Sequence, residues 1–350
     1  MQRIFEPTDK VVICTLFDHR YLPRGLCMID SVRRHGGRQD IWVLCLTPAC
    51  EKVLSKLALQ GVKTLTLADL ELHIPALLGA RANRSTVEYY FTCMAALHRW
   101  LFDFVPDLQG TMYVDADILF FADPGLVFDA IGDAPVAMTP HNFPPAMRKR
   151  AEPYGIYNAG WSAFRRTEEG MKCLDWWLER SIEWCYDRVD GYRYANQGYL
   201  AFFPEIAPQA RALHQKGFNC APWNIGGYKV SLSDGALMVD GEPLIFFHYH
   251  GLKRDFGALY FDGHRAYGAP MPAIVRNCIY RPYVQQLVRQ EKRVMALLGE
   301  DASAAKLLDR GHFVPGAWIR GLRGRVKKLL RQGIDLLSGR PILVLGGRAF

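Results

Sequence analysis

No run of ~18 or more consecutive apolar residues occurs in the chain, so nothing in it has the length and character of a bilayer-crossing helix. The opening MQRIFEPTDK lacks the apolar stretch of a secretion signal and carries acids and a proline instead. The expectation is a chain neither exported by that route nor membrane-spanning. No CxxC pair occurs among the nine scattered cysteines, which excludes the usual zinc and dithiol spacings. An odd number of thiols in apolar runs suits a reduced, cytoplasmic protein. Charge is modest at 22%, and no repeat or low-complexity tract interrupts the chain, so the disordered and solenoid classes drop out. With 350 residues, 50% of them hydrophobic, the chain can bury a large core.

A formal charge of +8 raises the question of nucleic acid, but the distribution answers it. Arg320, Arg323, Arg325, Lys327, Lys328, Arg331 and Arg340 face one acid, Asp335, a local balance of +6 that leaves the remainder nearly neutral. No nucleic-acid partner is expected.

The first half alternates apolar runs (11–16, 41–46, 63–67) with helix-like stretches (25–35, 48–60). That alternation predicts βαβ units and a mostly parallel central sheet, with ligands bound beyond the carboxyl ends of its strands. A long buried helix is predicted over 88–103, leading into an apolar run at 111–114. The stretch 135–153 reads as proline-rich and irregular, 168–186 as an amphipathic helix, and 243–248 as the last strong strand. The division expected is a catalytic domain at 1–272 and a helical region at 273–350.

Two segments carry chemistry. In TMYVDADILFFADP, Asp115 and Asp117 form an i, i+2 pair after a strand, able to share a divalent metal that neutralises a diphosphate. Such pairs are often just solvated acids, but these stand between two apolar runs. In PLIFFHYHGLKRD, either His248 or His250 can complete that site, and Lys253 suits phosphate oxygens.

Together these segments resemble glycosyltransferases of the GT-A fold, the retaining family 8 group especially, from about Val11 to Asp255. The resemblance implies that Asp18 hydrogen-bonds a uracil base on which Tyr21 stacks, ahead of Ser31-Val32. It implies that Asp115 and Asp117 hold manganese or magnesium against the donor, with His248 as the third ligand and His250 as the alternative. Asn158 and Gly160, in Tyr157-Asn158-Ala159-Gly160, match the segment lining the sugar and acceptor site. Asn196 and Gln197 fall where family members place Asp-Gln beside the reacting sugar, which makes them the candidate catalytic residues. The pattern departs in three places: Asn196 is an amide, Lys253-Arg254-Asp255 replaces Lys-Pro-Trp, and Phe91-Thr92-Cys93 stands where a donor-contacting arginine is usual, leaving Arg81 or Arg84 to serve. Trp223, in the loop segment NCAPWN, is a further candidate for sugar stacking.

The function implied is transfer of a hexose from a UDP-sugar, with retention, to a carbohydrate or lipid-linked acceptor in surface polysaccharide or glycolipid synthesis. A phosphohydrolase with Asp115 as nucleophile would use the same D-x-D, but it needs a late pair of acids where this chain has histidine and lysine. A non-catalytic nucleotide-sugar or membrane-surface binder would keep the fold; Asn196 is the departure that favours it. Towards the end, Ile319, Leu322, Val326, Leu329, Leu330 and Leu337 fall near helical spacing among the basic residues. That predicts a basic amphipathic helix, docked either on an anionic membrane's inner face or on the catalytic domain.

Overall fold

Alternation along the first strand divides the core in two. In β1 (Lys10–Phe17), Val12 and Cys14 join one buried cluster while Ile13 and Phe17 join another, as the two faces of a strand require. The molecule is a computed structural model that describes residues 10–255, 258–299, 333, 335 and 338–350. After β1 come α1 (Leu22–Arg34), β2 (Ile41–Cys45), α2 (Pro48–Leu57) and β3 (Val62–Thr66). Then α3 (Leu67–His73), α4 (Ala76–Ala82) and α5 (Thr86–Phe104) lead back to β4 (Leu108–Val114) on the far side of β1. Helix α5 opens with a reciprocal cap: Ser85 Oγ accepts from the Glu88 N–H at 3.4 Å, and Glu88 accepts from the Ser85 N–H at 2.8 Å.

The chain continues through β5 (Ile118–Phe120), α6 (Gly125–Ile131), β6 (Val136–Pro140), α7 (Arg148–Ala151), β7 (Tyr157–Arg165), α8 (Glu168–Glu183), α9 (Phe203–Ile206) and β8 (Arg211–Ala212). Seven strands form the main sheet in the order β3-β2-β1-β4-β7-β6-β8, with β7 alone antiparallel to its neighbours. Helices α1, α2 and α6 cover one face, and α3, α4, α5 and α8 the other. The fold is thus α/β with a mostly parallel central sheet, the class expected from the sequence.

Among the described residues, three smaller sheets complete the architecture. One holds β9 (Val230–Ser233), β10 (Ala236–Val239) and β11 (Glu242–Pro243), and β12 (Phe246–His248) pairs antiparallel with β5. The last holds β13 (Lys253–Asp255), β14 (Leu259–Phe261), β15 (Ile342–Leu345) and β16 (Arg348–Ala349), so the end of the chain pairs with β14. Before it, α10 (Arg281–Leu298) places Val294 and Leu298 in the same cluster as Ile29 and Val53.

Three expectations need correction. The irregular stretch at 135–153 contains β6, buried throughout, because Val136, Ala137 and Met138 supply apolar side chains to both faces and the proline stands only at its end. The run at 243–248 is divided between two sheets, since the Ile245 N–H donates to Gly217 rather than continuing either ladder. It is not the last strand: β13 to β16 follow it. Gly346 and Gly347, with φ of 56° and 83°, make the two-residue turn of the final hairpin, a signal already visible in LVLGGRA. The basic amphipathic helix expected at 319–337 lies outside the described residues apart from 333 and 335, which are helical.

Candidate active site

Strands β1 and β4 are parallel neighbours, yet the chain leaves β1 towards β2 and returns to β4 on the opposite side. That reversal opens a crevice at their carboxyl ends, the usual ligand position of an open α/β sheet. Asp18 directly follows β1 and Asp115 directly follows β4, so topology alone brings both to one crevice.

Backbone bonds set the acidic pair in place. The Asp115 N–H donates to the Gly160 carbonyl at 2.8 Å, and the Ile118 N–H closes a turn onto the Asp115 carbonyl at 3.0 Å. Pairing of β5 with β12 puts His248 opposite Ile118, and the Tyr249 N–H donates to the Asp117 carbonyl at 2.9 Å. His248 Nε2 consequently lies 3.1 Å from Asp117 Oδ1 and 3.7 Å from Asp115 Oδ2. The Tyr113 hydroxyl donates to Asp115 Oδ1 at 2.8 Å. The His248 side chain is 4% exposed and Asp117 15%, while Asp115 keeps 33%.

The electrostatics follow from that enclosure. Burial raises the Asp115 carboxyl above its ordinary value, and the second carboxylate adds to the effect. Burial opposes ionisation of Asp117 too, but the charge and hydrogen bond of His248 outweigh it and carry Asp117 down to about 2. For His248, burial disfavours the imidazolium, and the two carboxylates more than restore it. The three groups offer ligand atoms within 4.8 Å of one another, the sole such group of acids, histidines and cysteines among the described residues. Two carboxylates and an imidazole form a donor set suited to a divalent cation such as manganese or magnesium. The space beside them is kept clear by Gly160: a Cβ there would stand 2.6 Å from His248 Cε1, 2.7 Å from Asp115 Oδ2 and 2.8 Å from Asn158 Oδ1.

A cavity of about 350 Å³ opens beside the cluster, lined by Asp115, His248 and His250 at one side and by aromatic rings elsewhere, among them Phe91, Phe143, Tyr154, Tyr194, Trp223 and Tyr267. Asn158, Gly160, Asn196 and Gln197 all line it. Their side chains are differently engaged. Gln197 Oε1 accepts from Asn158 Nδ2 and from the Ala159 N–H, both at 3.1 Å, and its Nε2 donates to the Tyr154 carbonyl at 2.7 Å. Asn196 is buried, its amide donating to the sulfur of Met94. Trp223 is 3% exposed and packs edge-on against His248, His250 and Tyr267, at centroid distances of 5.2, 5.5 and 6.3 Å.

The candidates for base and phosphate lie outside that cavity wall. Asp18 Oδ1 accepts from the N–H groups of Arg20 and Tyr21, at 2.9 and 3.2 Å, which shapes the turn into α1. Tyr21 is 45% exposed, with the Arg24 guanidinium 4.8 Å above its ring. Arg24 also donates to the Leu252 carbonyl at 2.8 Å, and its charge helps hold Asp117 ionised. Lys253 is exposed at the start of β13. His250 is exposed and stands 5.8 Å, ring to ring, from His248, so it is His248 that the fold brings to both carboxylates. Neither arginine considered as a stand-in lines the cavity: Arg81 Nη1 donates to both carboxylate oxygens of Glu71, and Arg84 donates to Thr92 and to the carbonyls of Ser181 and Ile182. Sequence reasoning missed Arg24, His141 and Tyr267. Only Arg24 had a usable signal, a cation three residues after Tyr21 and therefore on the same helical face.

No family model matches the chain. It is 28% identical over 247 residues to the uncharacterized protein YfnF of Bacillus subtilis (strain 168), covering 69% of this chain and 81% of that one. The uncharacterized protein YfnD of the same organism is 27% identical over 281 residues, covering 79% and 88%. Among solved structures, the galactosyltransferase LgtC in complex with donor and acceptor sugar analogs superposes with a TM-score of 0.44 at 16% identity, covering 75% of this chain and 98% of that chain. The apo bifunctional glycosyltransferase WbbM gives 0.41 at 17% identity over 62% of this chain, which spans 41% of WbbM.

Proposed function

We propose that the chain is a metal-dependent glycosyltransferase that moves a hexose from a UDP-sugar to an acceptor hydroxyl. The observation that carries this reading is the convergence of Asp115, Asp117 and His248 at the carboxyl end of β4, with Gly160 leaving open space beside them and a sugar-sized cavity adjoining. Asp115, Asp117 and His248 would hold manganese or magnesium, which when bound supplies positive charge for a diphosphate leaving group. Asp18 Oδ1 shapes the turn, its Oδ2, 4.0 Å from Arg20 Nε, would accept from the imide N–H of uracil, and Tyr21 offers an exposed ring to the base. Lys253 is assigned to the phosphate side.

Around the cavity, Asn158 and the carboxylate of Asp115 present polar atoms to sugar hydroxyls, and the aromatic walls exclude water from the reacting centre. Gln197, held at both ends of its amide, orders Asn158 and the start of β7. Asn196, in place of an acid, leaves that wall uncharged, and retention of configuration is proposed without a protein nucleophile. The basic stretch from Arg320 to Arg331 is assigned to an anionic membrane surface on the cytoplasmic side, near a lipid-linked or polysaccharide acceptor. A screen of nucleotide-sugars for manganese-dependent release of nucleoside diphosphate tests the activity. Turnover of a UDP-sugar supports it, and tighter calorimetric binding of GDP than of UDP would remove the donor assignment.

A further inference from the structure

One wall of the cavity is built from a segment that is contacted by Asp335 and Arg340. Ala266 and Tyr267 line the cavity and belong to the turn 262–269 that follows β14. Tyr267 stands 6.4 Å from His250 and 6.3 Å from Trp223, ring to ring. The turn holds itself together in part: Asp262 Oδ1 accepts from the His264 N–H at 2.7 Å, His264 Nδ1 donates to the Pro270 carbonyl at 3.0 Å, and the Tyr280 hydroxyl donates to His264 Nε2 at 2.9 Å.

Further anchors come from about seventy residues downstream. Arg340 donates to the Ala269 carbonyl and lies 3.9 Å from both Asp262 and Asp335, while Asp335 accepts from Arg265 at 2.6 Å. Side-chain exposures of 16% for Arg340, 15% for Asp335 and 9% for Asp262 place the network largely out of water. Removing Arg340 takes a neighbouring cation from Asp262 and leaves Asp335 with Arg265 alone, in a setting where charges are poorly solvated. Just beyond Arg340, β15 pairs with β14, and the Ala349 and Phe350 carbonyls accept from Arg281 and Arg276. Arg340 is the last of the seven basic residues, yet it faces the protein.

We propose that Arg340, with Asp335, is a positioning residue that sets the Tyr267 wall, so that the cavity reaches its working shape only with the end of the chain docked. This rests on the glycosyltransferase reading for its activity arm, but not for its structural arm. The structural arm compares hydrogen exchange in the full chain and in Arg340→Met, with Asp335→Asn as the milder second variant. Protection is expected to fall selectively in 262–269, while β1 and β4 are unchanged. The activity arm measures UDP release from UDP-glucose and UDP-galactose with manganese. Arg340→Met and Tyr267→Ala should each lower turnover by about tenfold or more, the double variant should be no worse than either, and calorimetric affinity for UDP with manganese should stay within about twofold. Unchanged protection in 262–269, or losses that multiply in the double variant, would overturn the proposal. If neither sugar is turned over by the unmodified chain, the failure lies with the glycosyltransferase reading, and hydrogen exchange alone decides whether Arg340 holds the wall.

Discussion

Gly160 shows how one residue type can carry a site. A methyl group there would press on His248, Asp115 and Asn158 at once, and two of those belong to the proposed metal cluster. Gly160→Ala is expected to cost about 1–3 kcal/mol of stability and to lack the rise in melting temperature expected of the unmodified chain with manganese and UDP. A full metal-dependent shift in that variant would contradict the geometry. Asp117→Asn removes a formal charge from the same cluster, so manganese affinity should fall and turnover should drop by orders of magnitude while the fold survives. His248→Ala should follow Asp117→Asn, and His250→Ala should be milder; titration of manganese against each variant checks the order. Asp115 and Asp117 were legible as an acidic pair between a buried strand and an apolar run, and His248 as a histidine ending another buried run. Tyr267 was not, since nothing in GHRAYGA marks a ring that will meet Trp223.

At the level of elements, the basic stretch and the final hairpin must be separated before either is tested. Ending the chain near Asp309 removes the basic residues, but it also strips β15 and β16 from β14 and takes Arg340 from its acidic partners. Substitution is the clean experiment. Replacing Arg320, Arg323, Arg325, Lys327, Lys328 and Arg331 by glutamine should weaken flotation with anionic liposomes by on the order of 1 kcal/mol for each residue at the surface. Donor hydrolysis should persist, and equal flotation of both proteins would show that this stretch is not the anchor. Two helices of the first half were readable from their period: 48–60 and 88–103 became α2 and α5, and Ser85 with Glu88 caps the start of α5. Strand β6 was not, because a short, evenly apolar run beside prolines has no period to read.

Across the whole molecule, two buried histidines tie stability to pH. His98 is fully enclosed between Thr111 and Ser162, and burial lowers its pKa to about 3. His141, beside the cavity, is likewise lowered by burial to about 3. Each binds its proton more readily unfolded than folded, so stability is undiminished above the ordinary histidine value near 6.5 and falls as pH drops from there towards 3. The slope approaches about 1.4 kcal/mol per pH unit for each group. Melting temperatures of the unmodified chain and His98→Asn between pH 7.5 and 5 check this: the variant should lose less of its stability over that interval, and parallel curves would count against it. What the sequence by itself determined is whatever rests on local order: the α/β alternation, the acidic pair after its strand, and the histidine after another. Only the tertiary structure decided which histidine joins the acids, that Arg81 and Arg84 are engaged elsewhere, and that Asp335 and Arg340 reach a cavity wall built from 262–269. Those outcomes depend on strand order and on contacts between distant segments, and periodicity within a single segment carries no information about either.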